Sequence, residues 1–348
     1  MQTIVRPDLG PWASAWDALV DGLRVPSPFL RSWWIDHTCG GRPAIVLVTD
    51  GDRLLGGAAF QIRRVRRVDR IEMAGQGPLE PDHLDLVAAH ADVPAVQAAV
   101  RTWLASVGGE IVLDGLVDGA ALLGALPVLR RASVSAVAPY APLAGTAAEY
   151  FAGRGGRTRS TITRTDKRLR AAGVTDRSST GDDVESAIAS LTRLHDARWG
   201  EASALSQAWT GFEDAARAGA AAGEVWFHEL VGPDGATIAV EVDFFVAGRF
   251  SFYQAGRLTD HDWRGSGSVL KARVIEHAVE LGASEYDLLR GDEPYKTEWA
   301  SAERSLVSVR SGTGVRGVAA FLGAQAHAAI ADFRAARKRP ESSASGSP

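Results

Sequence analysis

The stretch Tyr286-Asp287-Leu288-Leu289-Arg290-Gly291-Asp292-Glu293-Pro294-Tyr295-Lys296-Thr297-Glu298-Trp299 is the one on which the fold turns. Its start reads as a strand over 285–289, which runs straight into a loop crowded with ionisable and hydrogen-bonding groups. The carboxyl ends of strands are where open α/β sheets place their sites. Upstream, 267–281 reads as a helix closed by Gly282. Three strands precede it, over 225–231, 237–246 and 249–255, bounded by Gly, Pro and Asp turns.

The same plan occurs earlier in the chain. Strands are predicted over 44–49, 54–65 and 70–74, then a helix over 94–107 with Val96, Val100, Trp103, Leu104 and Val107 on one face, then Gly108-Gly109 and a strand over 110–114. The halves lie roughly 180 residues apart, too long a period for a solenoid, and two copies of one mixed α/β (α+β) domain is the simplest account. Domains are expected over 1–145 and 146–334, the second ending in an amphipathic helix marked by Val315, Val318, Phe321, Leu322, Ala326, Ile330 and Phe333. Residues 335–348 have too little apolar surface to offset ordering entropy and read as a disordered tail.

Composition agrees with a folded, water-soluble chain. Of 348 residues 46% are apolar and 23% charged, which excludes wholesale disorder. Lys and Arg number 38 against 42 Asp and Glu, a net charge of −4, so the whole molecule has no general attraction for polyanions. Cys39 is alone and forms no internal disulfide, which fits a reducing compartment. No secretory leader and no stretch of roughly 18 apolar residues stands out. A cytoplasmic protein without a membrane span is expected.

Between the halves lies a basic segment over 154–170, with Arg154, Arg157, Arg159, Arg164, Lys167, Arg168 and Arg170 opposed only by Asp166. A solvated helix edge and an anion-contacting surface are both open there. Behind it a helix carrying Val184, Ile188, Leu191 and Leu194 runs towards Trp199.

The loop Asp262-Trp263-Arg264-Gly265-Ser266-Gly267-Ser268 opens the helix over 267–281. A Gly-x-Gly turn there leaves backbone N–H groups and the positive helix end free for a phosphate. It is neither a P-loop nor a dinucleotide fingerprint. On the strand over 237–246, alternation puts Glu241 and Asp243 on one face and Val240, Val242 and Phe244 on the other. If the apolar face is the core, both acids face solvent. No nucleophile elbow, zinc motif or histidine metal spacing occurs, and His83, between Asp82 and Asp85, reads as a turn histidine beside solvated carboxylates.

Three stretches carry a family resemblance: Ser27-Pro28-Phe29-Leu30-Arg31-Ser32-Trp33-Trp34, the basic run with Lys167-Arg168-Leu169, and the stretch from Tyr286 to Trp299. The chain resembles the GNAT superfamily of acyltransferases, and within it the CelD-type acetyltransferases, whose double-domain architecture is shared with the FemAB transferases. The resemblance implies tandem GNAT-like domains, each a mixed, mostly antiparallel sheet flanked by helices, the first a degenerate copy. It implies a coenzyme A pyrophosphate at Arg264, Gly265, Ser266, Gly267 and Ser268, with Asp262 standing where the family has Gln or Arg. It implies Tyr295 as the acid that protonates the leaving thiolate and Lys296 as a stabiliser of the developing oxyanion. Asp287, Glu241 and Asp243 are candidates for the base by position only. Glu241, Asp243, Arg290, Asp292 and Trp199 are the expected acceptor contacts. Transfer from an acyl-CoA, acetyl-CoA foremost, to a small-molecule or peptide amine without a metal is expected. A Fem-like enzyme using aminoacyl-tRNA, held by the basic segment, and a non-enzymatic acyl-CoA-binding protein are the alternatives. In the first copy, Gly75-Gln76-Gly77-Pro78-Leu79 opens no helix and is not expected to form a second cradle.

Overall fold

The computed structural model describes residues 1–200 and 204–338. The first half contains β1 (Gln2–Arg6), α1 (Ala13–Asp21), α2 (Ser32–Thr38), β2 (Arg42–Asp50), β3 (Arg53–Val65), β4 (Val68–Met73), the short β5 (Val87–Ala88), α3 (Val93–Val107), β6 (Gly109–Val117) and β7 (Arg130–Pro142). The second contains α4 (Ala147–Ala152), α5 (Gly156–Ala171), β8 (Thr175–Ser179), α6 (Glu185–Trp199), α7 (Trp209–Ala221), β9 (Val225–Val231), β10 (Thr237–Val246), β11 (Arg249–Arg257), α8 (Ser266–Glu280), β12 (Glu285–Asp287), β13 (Ala302–Thr313) and α9 (Gly314–Lys338). The end of the expected tail, 339–348, lies outside the described residues. Among the described residues no helix is long and apolar enough to cross a membrane.

The strands form one 13-stranded mixed sheet in the order β1-β2-β3-β4-β6-β13-β7-β12-β11-β10-β9-β8, with β5 on β3. The repeated plan is visible in its pairing. β4 and β6 are parallel and joined through α3; β11 and β12 are parallel and joined through α8. Parallel neighbours need a crossover of about a dozen residues or more, and each helix supplies it. α3 buries Val96, Val100, Trp103 and Leu104, and Gly108 at φ 67° ends it.

The halves are interleaved at the centre of the sheet. β7, from the first half, pairs with β12 of the second through Tyr140 opposite Asp287. β13, from the second half, pairs with β6 of the first through Leu113 opposite Val309. β7 and β13 also pair with each other over most of their length. Neither strand was expected from sequence.

The Phe29-to-Trp34 stretch docks the chain start on the second half. Phe29, Trp33 and Trp34 all pack on Phe244, with ring centroids 5.6–5.9 Å away, and Arg31 and Trp33 both reach Glu224, at 2.6 and 2.7 Å. The turn around His83 is not solvated as expected. His83 is fully buried at φ 55°. Asp82 beside it takes two bonds from Arg290, from its backbone N and its Nε, each 2.6 Å. Arg290 also bonds Asp114 at 2.8 Å and the Pro81 carbonyl at 3.0 Å. The loop over 74–86 is thereby fixed against the second half.

Candidate active site

β11 and β12 pair only from Arg249 opposite Glu285 to Ser251 opposite Asp287. Beyond that register the two strands part, and a cleft of about 850 Å³ opens at their carboxyl ends. One wall is 252–257 of β11, another is Leu288, Leu289, Arg290, Glu293, Tyr295 and Lys296, and the start of α8 closes a third side. The first half contributes Pro78, Leu79, Glu80 and Asp82. The loop read as unfit for a second cradle therefore forms part of the wall around the first, tied there by the Tyr253 hydroxyl donating to the Leu79 carbonyl at 3.0 Å.

At the start of α8, Gly265 is the N-cap in the left-handed region at φ 84°, with no side chain capping the helix. A Cβ there would come within 3.0 Å of Thr165 on α5. Gly267, one residue into the helix, lines the cleft together with Arg264, Gly265 and Ser268. The helix end is thus bare towards the cleft, carries no acid in its first turn, and offers N–H groups to an anion. Ser266 is buried and not among the lining residues. The Asp262 side chain is 89% exposed and does not line the cleft, so it does not confront an anion held there. Its carbonyl accepts from Arg168 of α5, which also donates to the Arg264 carbonyl at 2.5 Å. One arginine of the basic segment is therefore a brace for this loop. Arg157, Arg159, Arg164 and Lys167 are exposed and have no carboxylate partner among the described residues.

Behind the cleft, α8 covers the face of β10 that was expected to meet solvent. Glu241 and Asp243 are 2% and 0% exposed. Lys271 of α8 donates to Glu241 at 2.6 Å and to the Tyr286 hydroxyl at 3.0 Å, with its ammonium 3.3 Å from the Phe252 ring centre. Tyr286 donates to Glu241 at 2.7 Å and lies 3.2 Å from Asp243. Burial pushes Glu241 and Asp243 each up to about 7 against the pull of Lys271, and burial pushes Lys271 down. Glu241 and Lys271 line the cleft, whereas Asp243 stands behind Tyr286 and does not.

The other expected residues separate into two groups. Tyr295, Lys296 and Arg290 line the cleft. Burial, reinforced by Glu293, pushes the Tyr295 phenol up, so it stays protonated through the neutral range. Lys296 is buried and engages the Glu293 carboxylate at 3.0 Å, the Leu289 carbonyl at 3.4 Å and the Arg290 carbonyl. Asp287, Asp292 and the core-facing Asp243 are not lining residues. Asp287 is fully buried and bound by Arg249 and the Leu289 N–H, the latter at 2.7 Å, which fits a carboxylate that shapes the turn. The Trp199 side chain lies outside the described residues. Lys271 and Tyr286 escaped the sequence reading; the available signal was a lysine one turn before Ile275, on the inward stripe of an amphipathic helix. Among the described residues no group of three or more His, Cys, Asp or Glu side chains could hold a metal ion.

The sheet holds the same kind of parallel crossover unit twice, and glycines open the helix of the second. Residues 156–297 match the family described as the acetyltransferase (GNAT) domain, a span that runs from the start of α5 to just beyond Lys296. Among solved structures, FemX is similar at a TM-score of 0.65 and 12% identity over 88% of this chain and 97% of its own. A protein of unknown function from Bacteroides thetaiotaomicron is similar at 0.59 and 10% identity over 90% and 100%. L-PGS from Bacillus licheniformis is similar at 0.55 and 12% identity over 89% and 92%. At these identities the likeness is one of fold. No curated protein matches the chain in sequence.

Proposed function

We propose that the chain transfers an acyl group from an acyl-CoA thioester to an amine. The observation that carries this reading is that the bare start of α8, Glu241, Tyr295 and Lys296 line one cleft. In it the N–H groups around Gly265, Gly267 and Ser268, with Arg264, hold the donor's pyrophosphate. Glu241 takes a proton from the acceptor nitrogen, Lys296 meets the charge that develops on the carbonyl oxygen, and Tyr295 donates a proton to the departing thiolate. The first half is a copy without a cradle that supplies a wall and a strand. The narrower CelD-type assignment is part of this proposal and rests on the three stretches named from sequence.

Gly267→Val tests the cradle. An added Cβ would meet only the flexible Arg257 side chain, at 3.2 Å, so the fold should survive while phosphate approach is hindered. Calorimetry should show donor affinity falling at least about tenfold, or about 1.4 kcal/mol, with an unchanged melting temperature. Unchanged affinity would remove this loop from the site.

A second donor, aminoacyl-tRNA, is favoured by one observation: Arg157, Arg159, Arg164 and Lys167, exposed and without a carboxylate partner among the described residues, lie on the helix whose Arg168 braces the cradle. Salt separates the two. Affinity for tRNA should fall by about 0.7–0.9 log units per log unit of salt for each neutralised phosphate, and affinity for acyl-CoA much less. Shallow, saturable acyl-CoA binding is the expected result. Salt-steep tRNA binding without acyl-CoA binding would reverse the choice, and acyl-CoA binding without turnover on any amine would make the chain a binding protein.

A further inference from the structure

At the floor of the cleft a lysine is buried where packing alone would take an apolar side chain. Lys271 sits on the inward stripe of α8, one turn before Ile275, and is 5% exposed. Three groups surround its ammonium: Glu241 Oε1 at 2.6 Å, the Tyr286 hydroxyl at 3.0 Å and the Phe252 ring, whose centre is 3.3 Å away. An ammonium has three N–H donors and no acceptor, and a carboxylate, a phenol oxygen and a ring face are what such a cation binds. Tyr286 reaches the same oxygen, Glu241 Oε1, at 2.7 Å. The carboxylate that lines the cleft is therefore neutralised and hydrogen-bonded before any acceptor arrives. Stability does not explain the arrangement, since apolar side chains of similar volume often replace a buried ion pair without loss.

We infer that Lys271 is a positioning residue that keeps Glu241 for acceptors entering as neutral amines, and that the acceptor is accordingly a weakly basic amine rather than a lysine-type alkylamine. The inference rests on the acyl-transfer reading and concerns its acceptor. A lone buried carboxylate would hold an incoming ammonium as an ion pair, leaving the nitrogen protonated and without a lone pair for attack. Here the counter-charge is already in place. An ammonium meets Lys271 as a like charge, whereas a neutral amine meets a hydrogen-bond acceptor. The atoms then balance with one base. As the C–N bond forms and the C–S bond breaks, the amine nitrogen loses one proton to Glu241 and the departing thiolate takes one from Tyr295. When the products leave, Glu241 returns its proton and Tyr295 regains one through water in the open cleft. An ammonium would have to shed two protons in the same step.

The groups facing Glu241 are Asp243 beside it on β10, His228 on β9, Lys271 on α8, Tyr286 on β12 and Tyr295 on the loop after β12, with Lys296 acting on Lys271. Of the groups that face Glu241, Lys271 carries the positive charge, because burial lowers His228 to about 4 and leaves it a neutral imidazole. Glu241, at about 7, comes within about one unit of an α-amino group, which titrates at about 7.7–8.0, and falls about three short of a lysine amine at about 10.4.

The test has two arms. In the free protein, carbon NMR of the carboxyl groups should show Glu241 titrating at least about one pH unit higher in Lys271→Met, which deletes the cation, than in the unaltered chain. In Lys271→Arg, which keeps the charge, it should change little. A Glu241 indifferent to Lys271→Met would make Lys271 a packing residue and overturn the inference. In turnover near neutral pH, lysine amides acetylated on one nitrogen or the other supply isomeric acceptors. The unaltered protein should show a kcat/KM at least about 10²-fold higher for the free α-amine than for the free side-chain amine. The side-chain isomer should compete with the acceptor in Lys271→Met and not in the unaltered protein. Preference of the unaltered protein for the side-chain amine, or equal inhibition of both proteins by it, would overturn the inference. Turnover on neither isomer nor any other primary amine would instead remove the acyl-transfer reading, and the carboxyl titration alone would then decide whether Lys271 governs Glu241.

Discussion

Lys296→Met should lower kcat by about 10²–10³-fold, the loss typical of removing one group that stabilises a developing oxyanion. The substitution keeps the stem of this buried side chain and deletes its charge. In the free protein the ammonium is shared among Glu293 at 3.0 Å, the Arg290 carbonyl and the Leu289 carbonyl at 3.4 Å. The last is the weakest bond and the one a substrate oxygen can replace. Because the other two tie down the loop after β12, a lower melting temperature is expected as well, and initial rates must be read beside donor affinity. A variant that binds donor normally but releases thiol slowly supports the role; one with normal kcat makes Lys296 a loop tie only.

Tyr295→Phe should lower kcat by on the order of 10²-fold with little effect on donor affinity, because a general acid acts on the transition state rather than on binding. Its pH profile is the sharper readout. Glu241 must be ionised to accept a proton, and burial holds it at about 7, so kcat should rise with pH through about 7 in both proteins, with only the plateau reduced in the phenylalanine variant. Stability should run the other way. Folded, Glu241 and Asp243 keep protons up to about 7 that the unfolded chain sheds above about 4, so the stability they contribute is full below about 4 and is lost as pH rises through about 7. A plateau equal to that of the unaltered protein would leave Tyr295 as a wall residue.

Local signals were legible in the sequence. Both strand–helix–strand crossovers and the glycines at the start of α8 follow from residues within one turn of each other. The strand over 285–289 ran two residues too far, because its last residue, Leu289, sits at φ 54° after the turn that Asp287 caps. The alternation of Glu241 and Asp243 was right and their surroundings were not: alternation sorts residues onto faces, but only tertiary packing says that α8 lies over that face. β7 was hidden by Pro139 and Pro142, which argue against a central strand, and β13 by its polar residues. The wall formed by 78–82 depends on Arg290 and Tyr253, more than 170 positions away, and no local pattern encodes it.

The exchange of β7 and β13 across the centre of the sheet governs the order in which this protein can be made. A chain leaving the ribosome completes β6 and β7 long before their partners exist: β6 waits for β13 and β7 for both β12 and β13. Until residue 313 emerges, the first half carries an open strand edge of the kind that invites pairing with another chain. Contacts so distant in sequence form slowly. The two halves therefore reach their final form together, once β13 has emerged.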